Sequence, residues 1–254
     1  MAASFYHQDT PSDIKNAKGL HLITLNTPNG KKVQILCEEL RAKYGFQSSK
    51  DETDTTKVTC TILDTKTMAQ KSDWFLTMSP NGRIPIIVDN TKKEPFVVME
   101  SSAELVYIQK EYDPENAFGF EDSLEQSQSL QWLFFWHGGG GPIQGQLSFF
   151  GTQDPQDKYA VATERFLTET KRIYGVLELH LSGKYTKELR EYIAGKGKGK
   201  YSVADMGLWP WINGWGYTGL ITPKDMEEFP HLMKWLARIR ERTAVKEGTN
   251  QKYA

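Results

Sequence analysis

The stretch SPNGRIPIIVD, residues 79–89, decides the fold of this chain. Its first four residues predict a turn, and the apolar residues that follow predict a strand with Pro85 near its start. A proline cannot donate a hydrogen bond to a sheet, and an X-Pro bond at such a position is often a cis turn. A cis bond would leave the backbone of Ile84 able to pair with an extended peptide ligand. A purely structural turn is the alternative interpretation.

The residues before this stretch predict a strand, a helix and a second strand. The apolar run LHLITL, residues 20–25, is typical of a buried strand, and the turn TPNG, residues 27–30, ends it. A helix is predicted next, because apolar residues recur at i, i+3, i+4 and i+7. These residues are Val33, Leu36, Cys37 and Leu40, and the expected outward-facing residues are Glu38, Glu39 and Arg41. Residues 47–57 predict a solvated loop before the β-branched strand VTCTIL, residues 58–63.

The residues on either side of the deciding stretch complete a βαβ-α-ββα order. A polar helical segment is predicted over residues 70–77, and residues 95–99 predict a partner strand after the turn at Asp89. Glu100 and Ser101 then open a helix that extends to Tyr112. The first 112 residues therefore predict a small mixed α/β unit.

The second half of the chain has no strand signals and predicts an all-helical domain. Long periodic segments cover residues 122–137, 157–182, 203–217 and 230–243. Ser202 and Asp205 have capping-box spacing at the start of one of these helices. The glycines at 138–141 predict a helix break that permits close approach of a second chain or a ligand. They do not form a phosphate loop, because they follow a helix and lack the GxGxxG spacing.

The composition excludes several classes of function. Lys plus Arg number 31 and Asp plus Glu 32, for a net charge of -1, which gives no electrostatic attraction to nucleic acid or anionic membranes. The histidines are scattered and the two cysteines have no metal-ligand spacing, so no metal site is expected. No apolar run approaches the length of about 20 residues that a membrane-spanning helix needs. We therefore expect a soluble cytoplasmic protein without nucleic-acid or membrane partners.

Two predicted turns supply candidate binding groups. The start of the helix at Glu100 favours an anion, and the Ser101 hydroxyl adds a donor, so a ligand carboxylate would fit there. Ser101 acting only as a helix cap is the alternative. Glu100 suits a ligand ammonium group or is a solvated acid. The turn at residues 27–30 points the first helix at the same edge of the sheet, where α/β proteins bind ligands.

Three motifs together resemble the glutathione transferase superfamily. They are SPNGRIPIIVD (79–89), MESSAELVYI (99–108) and YSVADMGLWPWI (201–212), and their order and spacing match the family. The segments TPNGKKVQILCEEL, WLFFWHGGGGPIQGQ and ERFLTETKRIYGVLE resemble the fungal nitrogen-regulator-like, prion-regulator-related class and the bacterial nu-class disulfide-bond oxidoreductases. The resemblance implies a flexible extension (1–18), a thioredoxin-like glutathione-binding domain (19–113) and an all-helical C-terminal domain (121–254).

The resemblance also implies a role for each matching residue. Asn29 takes the position of the catalytic asparagine, with Thr27 as a second donor to sulfur. Ile84, before a cis Pro85, would pair with the cysteinyl part of glutathione. The positions implied for the remaining contacts are Glu100 and Ser101 for the γ-glutamyl end and Gln70 and Arg83 for the glycyl end. The loop from 41 to 57 is longer than the family leads us to expect.

The chemistry required of such a site agrees with these positions. The thiolate is the nucleophile, and a reference thiol pKa of about 8.5 leaves only a few per cent ionised near pH 7. The Asn29 amide and the backbone N–H groups of the first helix can donate to the thiolate without a titrating base. Cys37 and Cys60 are interpreted as packing residues, so no protein thiol is expected to react.

The resemblance implies an enzyme that uses glutathione as co-substrate, with a small-molecule electrophile or a disulfide as its second substrate. Detoxifying conjugation and disulfide reductase or peroxidase activity are the expected reactions. A second subsite is expected around Phe135, Trp136 and His137, although such aromatic residues are more often core. A homodimer is implied by the family. A non-catalytic regulator and a carrier of hydrophobic ligands remain the alternatives.

Overall fold

A computed structural model describes residues 5–45, 58–153 and 156–254 of the chain. The chain divides into two compact units. One unit extends to Tyr112 and also contains Thr243–Ala254, and the other is Asp113–Arg242. The end of the chain thus lies with the first unit, whereas the sequence assigned it to the helical domain.

The first unit contains a mixed sheet of four strands among the described residues. The strands are β1 (Leu20–Thr24), β2 (Val58–Ile62), β3 (Ile86–Asp89) and β4 (Phe96–Met99), in the order β2-β1-β3-β4. Strand β2 is parallel to β1, and the β1/β3 and β3/β4 pairs are antiparallel. The two central strands, β1 and β3, are buried along their whole length, which explains why both read as continuous apolar runs rather than alternating ones.

Four helices accompany these strands in chain order. They are α1 (Ser12–Lys15), α2 (Pro28–Tyr44), α3 (Asp73–Leu76) and α4 (Ser101–Tyr112). Two 3-10 turns, Thr65–Thr67 and Ala69–Lys71, precede α3 and take part of the predicted helical segment. The predicted βαβ-α-ββα order is confirmed.

Residues 5–18 are packed rather than flexible, in contrast to the prediction for the N-terminal extension. Ile14 in α1 is fully buried in a core cluster that also contains Ile23 and Phe75. The Tyr6 hydroxyl donates a hydrogen bond of 3.1 Å to the side-chain oxygen of Asn90. Ile14 and Tyr6 thus hold an otherwise polar segment in place. Two such residues are too few to produce a periodic apolar pattern in the sequence.

The second unit is all-helical among its described residues, which confirms the predicted class. Its helices are α5 (Ser123–Phe135), α6 (Gly141–Gly151), α7 (Ala160–Leu181), α8 (Val203–Ile212), α9 (Pro223–Met226) and α10 (Pro230–Arg240). Ser202 and Asp205 form the predicted capping box at the start of α8.

The glycines at 138–141 do not break the helix, so this prediction is wrong. A π-helical turn, Trp136–Gly140, joins α5 directly to α6. A Cβ at Gly140 would lie 2.4 Å from the Trp136 indole. Gly140 therefore makes room for an aromatic ring of its own unit.

The last helix, α11 (Thr243–Gly248), packs on α2 in the first unit. Beyond it, the Tyr253 hydroxyl donates to Glu38 at 2.6 Å, and the Lys252 ammonium lies 3.0 Å from the same carboxylate oxygen. Glu38 and Glu39 are consequently buried, so the prediction that they face outward is wrong. Helix α2 continues to Tyr44, and residues 46–57 of the predicted loop lie outside the described residues.

Candidate functional site

A cleft in the first unit lies at the end of the sheet where β1 and β4 end and β3 begins. The residues that line it are Asn29, Ser79, Asn81, Arg83, Ile84, Pro85, Met99, Glu100 and Ser101. The sheet topology explains why these residues lie together. The antiparallel pairing places Ile86 beside Ile23 and Met99, so the residues that follow β1 and β4 and those that precede β3 meet at one end of the sheet. Six of the eight predicted catalytic and glutathione-binding residues thus line one cleft.

The start of α2 presents donors on one side of this cleft. Thr27 is the N-cap, and its side-chain oxygen accepts a hydrogen bond from the Gly30 N–H at 3.1 Å. Asn29 lies in the first turn, after Pro28. No acidic residue occupies that turn, so the positive end of the helix dipole is not offset by a local carboxylate. This end of α2 therefore favours a negatively charged ligand atom.

Close backbone contact fixes the position of this helix start. A Cβ at Gly30 would lie 2.1 Å from the Leu25 carbonyl oxygen. The Gln34 amide donates to the same carbonyl at 3.1 Å and to the Thr24 hydroxyl at 3.0 Å. The end of β1 and the first turns of α2 are thereby joined, which sets the position of Asn29.

The loop before β3 forms the middle of the cleft. The Ile84–Pro85 peptide bond is cis, as the sequence predicted. Arg83 and Ile84 line the cleft beside it. This loop turns at Gly82, which has a positive φ of 61° that favours glycine.

Glu100 and Ser101 form the opposite side of the cleft. Glu100 has a φ of 75°, a conformation uncommon for a residue with a side chain. Its carboxylate accepts a hydrogen bond of 3.0 Å from the Asn81 side chain. Ser101 is the first residue of α4 and is buried. A carboxylate and a hydroxyl therefore stand next to each other at the start of a helix.

The buried residue behind Ser101 was missed by sequence reasoning. Lys32 in α2 is only 2% exposed, and its ammonium donates to the Ser101 hydroxyl oxygen at 3.3 Å. Burial lowers the pKa of Lys32 to about 8, against an opposing effect of Glu104 and Glu100. Burial also raises the pKa of Glu104 well above its ordinary value. The pair Lys31–Lys32 looks like a surface charge run, so the sequence carries no signal for this cluster.

Gln70 is placed beside the cleft but does not line it. Its amide nitrogen donates to the Thr65 carbonyl at 3.3 Å, and its backbone carbonyl lies 2.8 Å from where a Gly82 Cβ would be. Its side chain is directed into the 3-10 turns instead. A contact between Gln70 and a ligand remains a prediction.

The three residues predicted for a second subsite lie in the second unit. Phe135 ends α5, and Trp136 and His137 begin the π-helical turn. Trp136 is 1% exposed, which agrees with the core alternative for its indole. Phe135 and His137 are half-buried. The subsite itself remains a prediction.

The cysteines differ from each other in the structure. Cys37 is buried on α2, and burial raises its pKa to about 12. Cys60 is exposed on β2, so its interpretation as a packing residue is wrong. Neither cysteine lines the cleft. Among the described residues, no group of three His, Cys, Asp or Glu side chains could hold a metal ion.

Known proteins resemble this chain over nearly its whole length. The model of the glutathione S-transferase C-terminal domain matches residues 143–243. The disulfide-bond oxidoreductase YfcG of Escherichia coli is 33% identical, with 86% of this chain and 89% of the relative covered. A glutathione transferase family member from Pseudomonas fluorescens, solved with two glutathione bound, is 30% identical with a TM-score of 0.79, covering 98% of this chain and 99% of that chain.

The chain therefore belongs to the glutathione transferase family. Within that family it is similar to the disulfide-bond oxidoreductases and to Ure2p. The structure of Ure2p in complex with glutathione has a TM-score of 0.76 at 29% identity and covers 91% of this chain and 94% of that chain. These likenesses fit the class that the segments TPNGKKVQILCEEL, WLFFWHGGGGPIQGQ and ERFLTETKRIYGVLE resemble. No helix in the described part of the chain is long and apolar enough to cross a membrane.

Proposed function

We propose that the protein binds glutathione in this cleft and activates its thiol for reaction with a disulfide or an electrophile. The observation that carries the proposal is the gathering of Asn29, Ile84, Glu100 and Ser101 around one cleft. A carboxylate beside a hydroxyl suits the ammonium and carboxylate of the γ-glutamyl end. The backbone of Ile84, beside the cis peptide bond, suits the cysteinyl part, and the cysteine sulfur then reaches the start of α2.

Asn29 is the proposed catalytic residue, and Thr27 a second donor. A hydrogen bond to a charged group contributes about 1.5 to 3 kcal/mol, which corresponds to lowering a thiol pKa by about one to two units. The backbone N–H groups and dipole of α2 act in the same direction. Arg83 and Gln70 are the proposed contacts for the glycyl end.

The reaction with a mixed disulfide follows from thiolate chemistry. The glutathione thiolate attacks the glutathione sulfur of the mixed disulfide, the S–S bond breaks, and the released thiolate takes up a proton while glutathione disulfide leaves. In conjugation the same thiolate forms a C–S bond at an electrophilic carbon and displaces the leaving group on that carbon, as a detoxifying enzyme requires. The name of the E. coli relative favours the disulfide reaction. In the third reaction, peroxide reduction, the thiolate attacks a peroxide oxygen and the O–O bond breaks; a second glutathione then completes glutathione disulfide, so that the peroxide leaves as an alcohol and water.

Several further features belong to the proposal. The enzyme functions as a cytoplasmic homodimer, in a reducing compartment that supplies glutathione. Phe135 and His137, which are half-buried, are the proposed residues of a subsite for the second substrate, and the buried indole of Trp136 belongs to the core beside them. A regulator or hydrophobic-ligand carrier is the competing function, and binding of glutathione without turnover would favour it.

Replacing Asn29 with alanine tests the catalytic assignment. We expect Asn29→Ala to reduce turnover by about tenfold to hundredfold, since a charge-assisted donor to sulfur is lost. The pKa of the bound glutathione thiol should rise by about one to two units. Both quantities are measured with glutathione-dependent reduction of a small mixed disulfide, conjugation of an electrophile and the ultraviolet absorbance of the thiolate.

The control is Asn81→Ala, which removes the same amide from the other side of the cleft. Because Asn81 donates to Glu100, this variant should weaken glutathione binding and leave the thiol pKa unchanged. Equal thiol pKa values in the wild type and the Asn29 variant would contradict the role of Asn29. A failure of the wild type to bind glutathione in calorimetry would overturn the whole proposal.

The second subsite is tested on α5. Phe135→Ala and His137→Ala should raise the KM for the second substrate several-fold and leave the dissociation constant of glutathione unchanged. Phe134 is the matched control, because it is 71% exposed on the same helix. If Phe134→Ala changes the KM as much as Phe135→Ala, the subsite assignment is wrong.

A further inference from the structure

The layer beneath the cleft contains two charged residues that the proposed chemistry does not use. Lys32 and Glu104 are 2% and 0% exposed, on helices α2 and α4, which pack against each other. Neither carboxylate oxygen of Glu104 has a hydrogen-bond partner among the described residues. Buried lysines and glutamates are rare unless they are paired. This layer therefore calls for an explanation beyond packing.

The hydrogen bond from Lys32 restricts what Ser101 can do. An ammonium group can only donate hydrogen bonds, so the Ser101 oxygen is the acceptor in this 3.3 Å contact. The hydroxyl proton of Ser101 must then point away from Lys32. Ser101 lines the cleft, and a hydroxyl held in this way is a donor for a ligand anion.

Within the buried layer, Glu104 is the acidic group that acts most strongly on Lys32, but neither of its carboxylate oxygens accepts a hydrogen bond among the described residues. An ionised Glu104 would be a carboxylate without any hydrogen-bond donor in the protein interior, which is costly. Burial accordingly raises the pKa of Glu104 well above its ordinary value, which disfavours the ionised form. Burial lowers the pKa of Lys32 only to about 8, so the ammonium form still predominates there. Glu100, next to Ser101 in the sequence, is the residue that the proposed function assigns to the ligand ammonium.

We propose that Lys32 is a positioning residue that makes the Ser101 hydroxyl a dedicated donor and provides the buried positive charge for the γ-glutamyl carboxylate of glutathione. This inference rests on the proposed function, because it assumes that glutathione occupies the cleft. Lys32 does not line the cleft itself, but in this proposal it determines which ligands bind there. A ligand without that carboxylate should gain nothing from Lys32.

The test compares two ligands in calorimetry at pH 7. One is glutathione, and the other is its analogue γ-aminobutyryl-cysteinyl-glycine, which lacks only the γ-glutamyl carboxylate. In Lys32→Met we expect glutathione affinity to fall about tenfold to hundredfold, the loss typical of a charge-assisted interaction. Affinity for the analogue, already weak in the wild type, should be unchanged in the variant.

Two further variants keep the test decisive. Glu104→Gln is the matched control in the same buried layer, and it should bind glutathione within about twofold of the wild type, since glutamine keeps the size of the side chain and Glu104 does not line the cleft. Lys32→Gln carries the same ligand comparison if Lys32→Met does not fold, as judged by circular dichroism and thermal melting.

The outcomes separate this inference from the proposed function. Absence of glutathione binding in the wild type overturns the proposed function. Wild-type binding with unchanged affinity in both folded Lys32 variants overturns the role of Lys32 alone. An equal loss of affinity for glutathione and its analogue also overturns it, because that result would describe a general structural role. Selective loss of glutathione affinity supports it.

Discussion

Asp205→Ala should destabilise the helical unit by about 3 to 5 kcal/mol, the cost of removing one partner from a buried charged network. Asp205 is fully buried. Its carboxylate accepts hydrogen bonds from the Ile193 N–H at 3.0 Å, the Trp235 indole at 2.8 Å and the Ser202 N–H at 3.0 Å. Alanine would leave these donors buried without partners. Because folded proteins are stable by only about 5 to 15 kcal/mol, the effect should be large.

The measurement is urea or thermal unfolding followed by near-ultraviolet circular dichroism. Six of the seven tryptophans lie in the second unit, at 132, 136, 209, 211, 215 and 235, so this signal reports chiefly on that unit. Asp205→Asn is the control, since its amide retains one of the two acceptor oxygens and should cost less than alanine. Equal stability of the alanine variant and the wild type would refute the role of the network.

The effect of Asp205 should also depend on pH, with a sign opposite to that of most aspartates. Burial raises the pKa of Asp205 from 3.8 to about 6, although its hydrogen bonds act in the other direction. The folded protein thus holds this proton more tightly than the unfolded chain. The resulting contribution to the free energy of unfolding is full below about pH 4 and is lost as the pH rises through about 6. The deficit of Asp205→Ala should therefore be larger at about pH 4.5 than at pH 7.

Features fixed by local chemistry could be predicted from the sequence. The capping box at Ser202 needs a hydroxyl and an acid at fixed spacing, and the structure contains it. The turn before Pro85 and the start of α4 at Ser101 are also local signals. In the predicted order of strands, these local features place Asn29, Ile84 and Ser101 at one end of the sheet. The structure brings the three residues together there.

Burial that depends on a segment far away in the sequence could not be predicted. Apolar periodicity identifies one buried face of a helix, but α2 is covered on another side by α11, which lies far away in the sequence. Glu38 therefore reads as a solvent-facing charge although it is buried, and Lys32 is buried in turn against Ser101 of α4. For the same reason the burial of Glu104 could not be predicted, nor could the pair of ionisable residues, Lys32 and Glu104, that lies beneath the cleft. Long side chains with charged ends give no sign in sequence of whether a distant segment covers them.

Gly30→Ala should reduce glutathione-dependent turnover by about a hundredfold, the loss expected when a catalytic group moves by about 1 Å. A methyl group at Gly30 would lie 2.1 Å from the Leu25 carbonyl oxygen and 2.6 Å from the Thr24 hydroxyl. The Leu25 carbonyl is backbone in the turn directly after β1, so it cannot move without shifting the end of this central strand. The start of α2 must shift instead and carry Asn29 with it. Overpacking of this kind should also cost about 1 to 3 kcal/mol of stability.

Gly175→Ala is the matched control, because Gly175 also lies inside a helix and a methyl group there would be 3.9 Å from the nearest atom, in Phe229. That change should leave turnover unchanged and raise the free energy of unfolding by up to about 1 kcal/mol, since alanine is the better helix former. Turnover and thermal melting are measured on both variants. If the Gly30 variant loses stability but keeps wild-type turnover, the position of Asn29 does not limit the reaction. The catalytic role would then pass to groups that do not move with the start of α2.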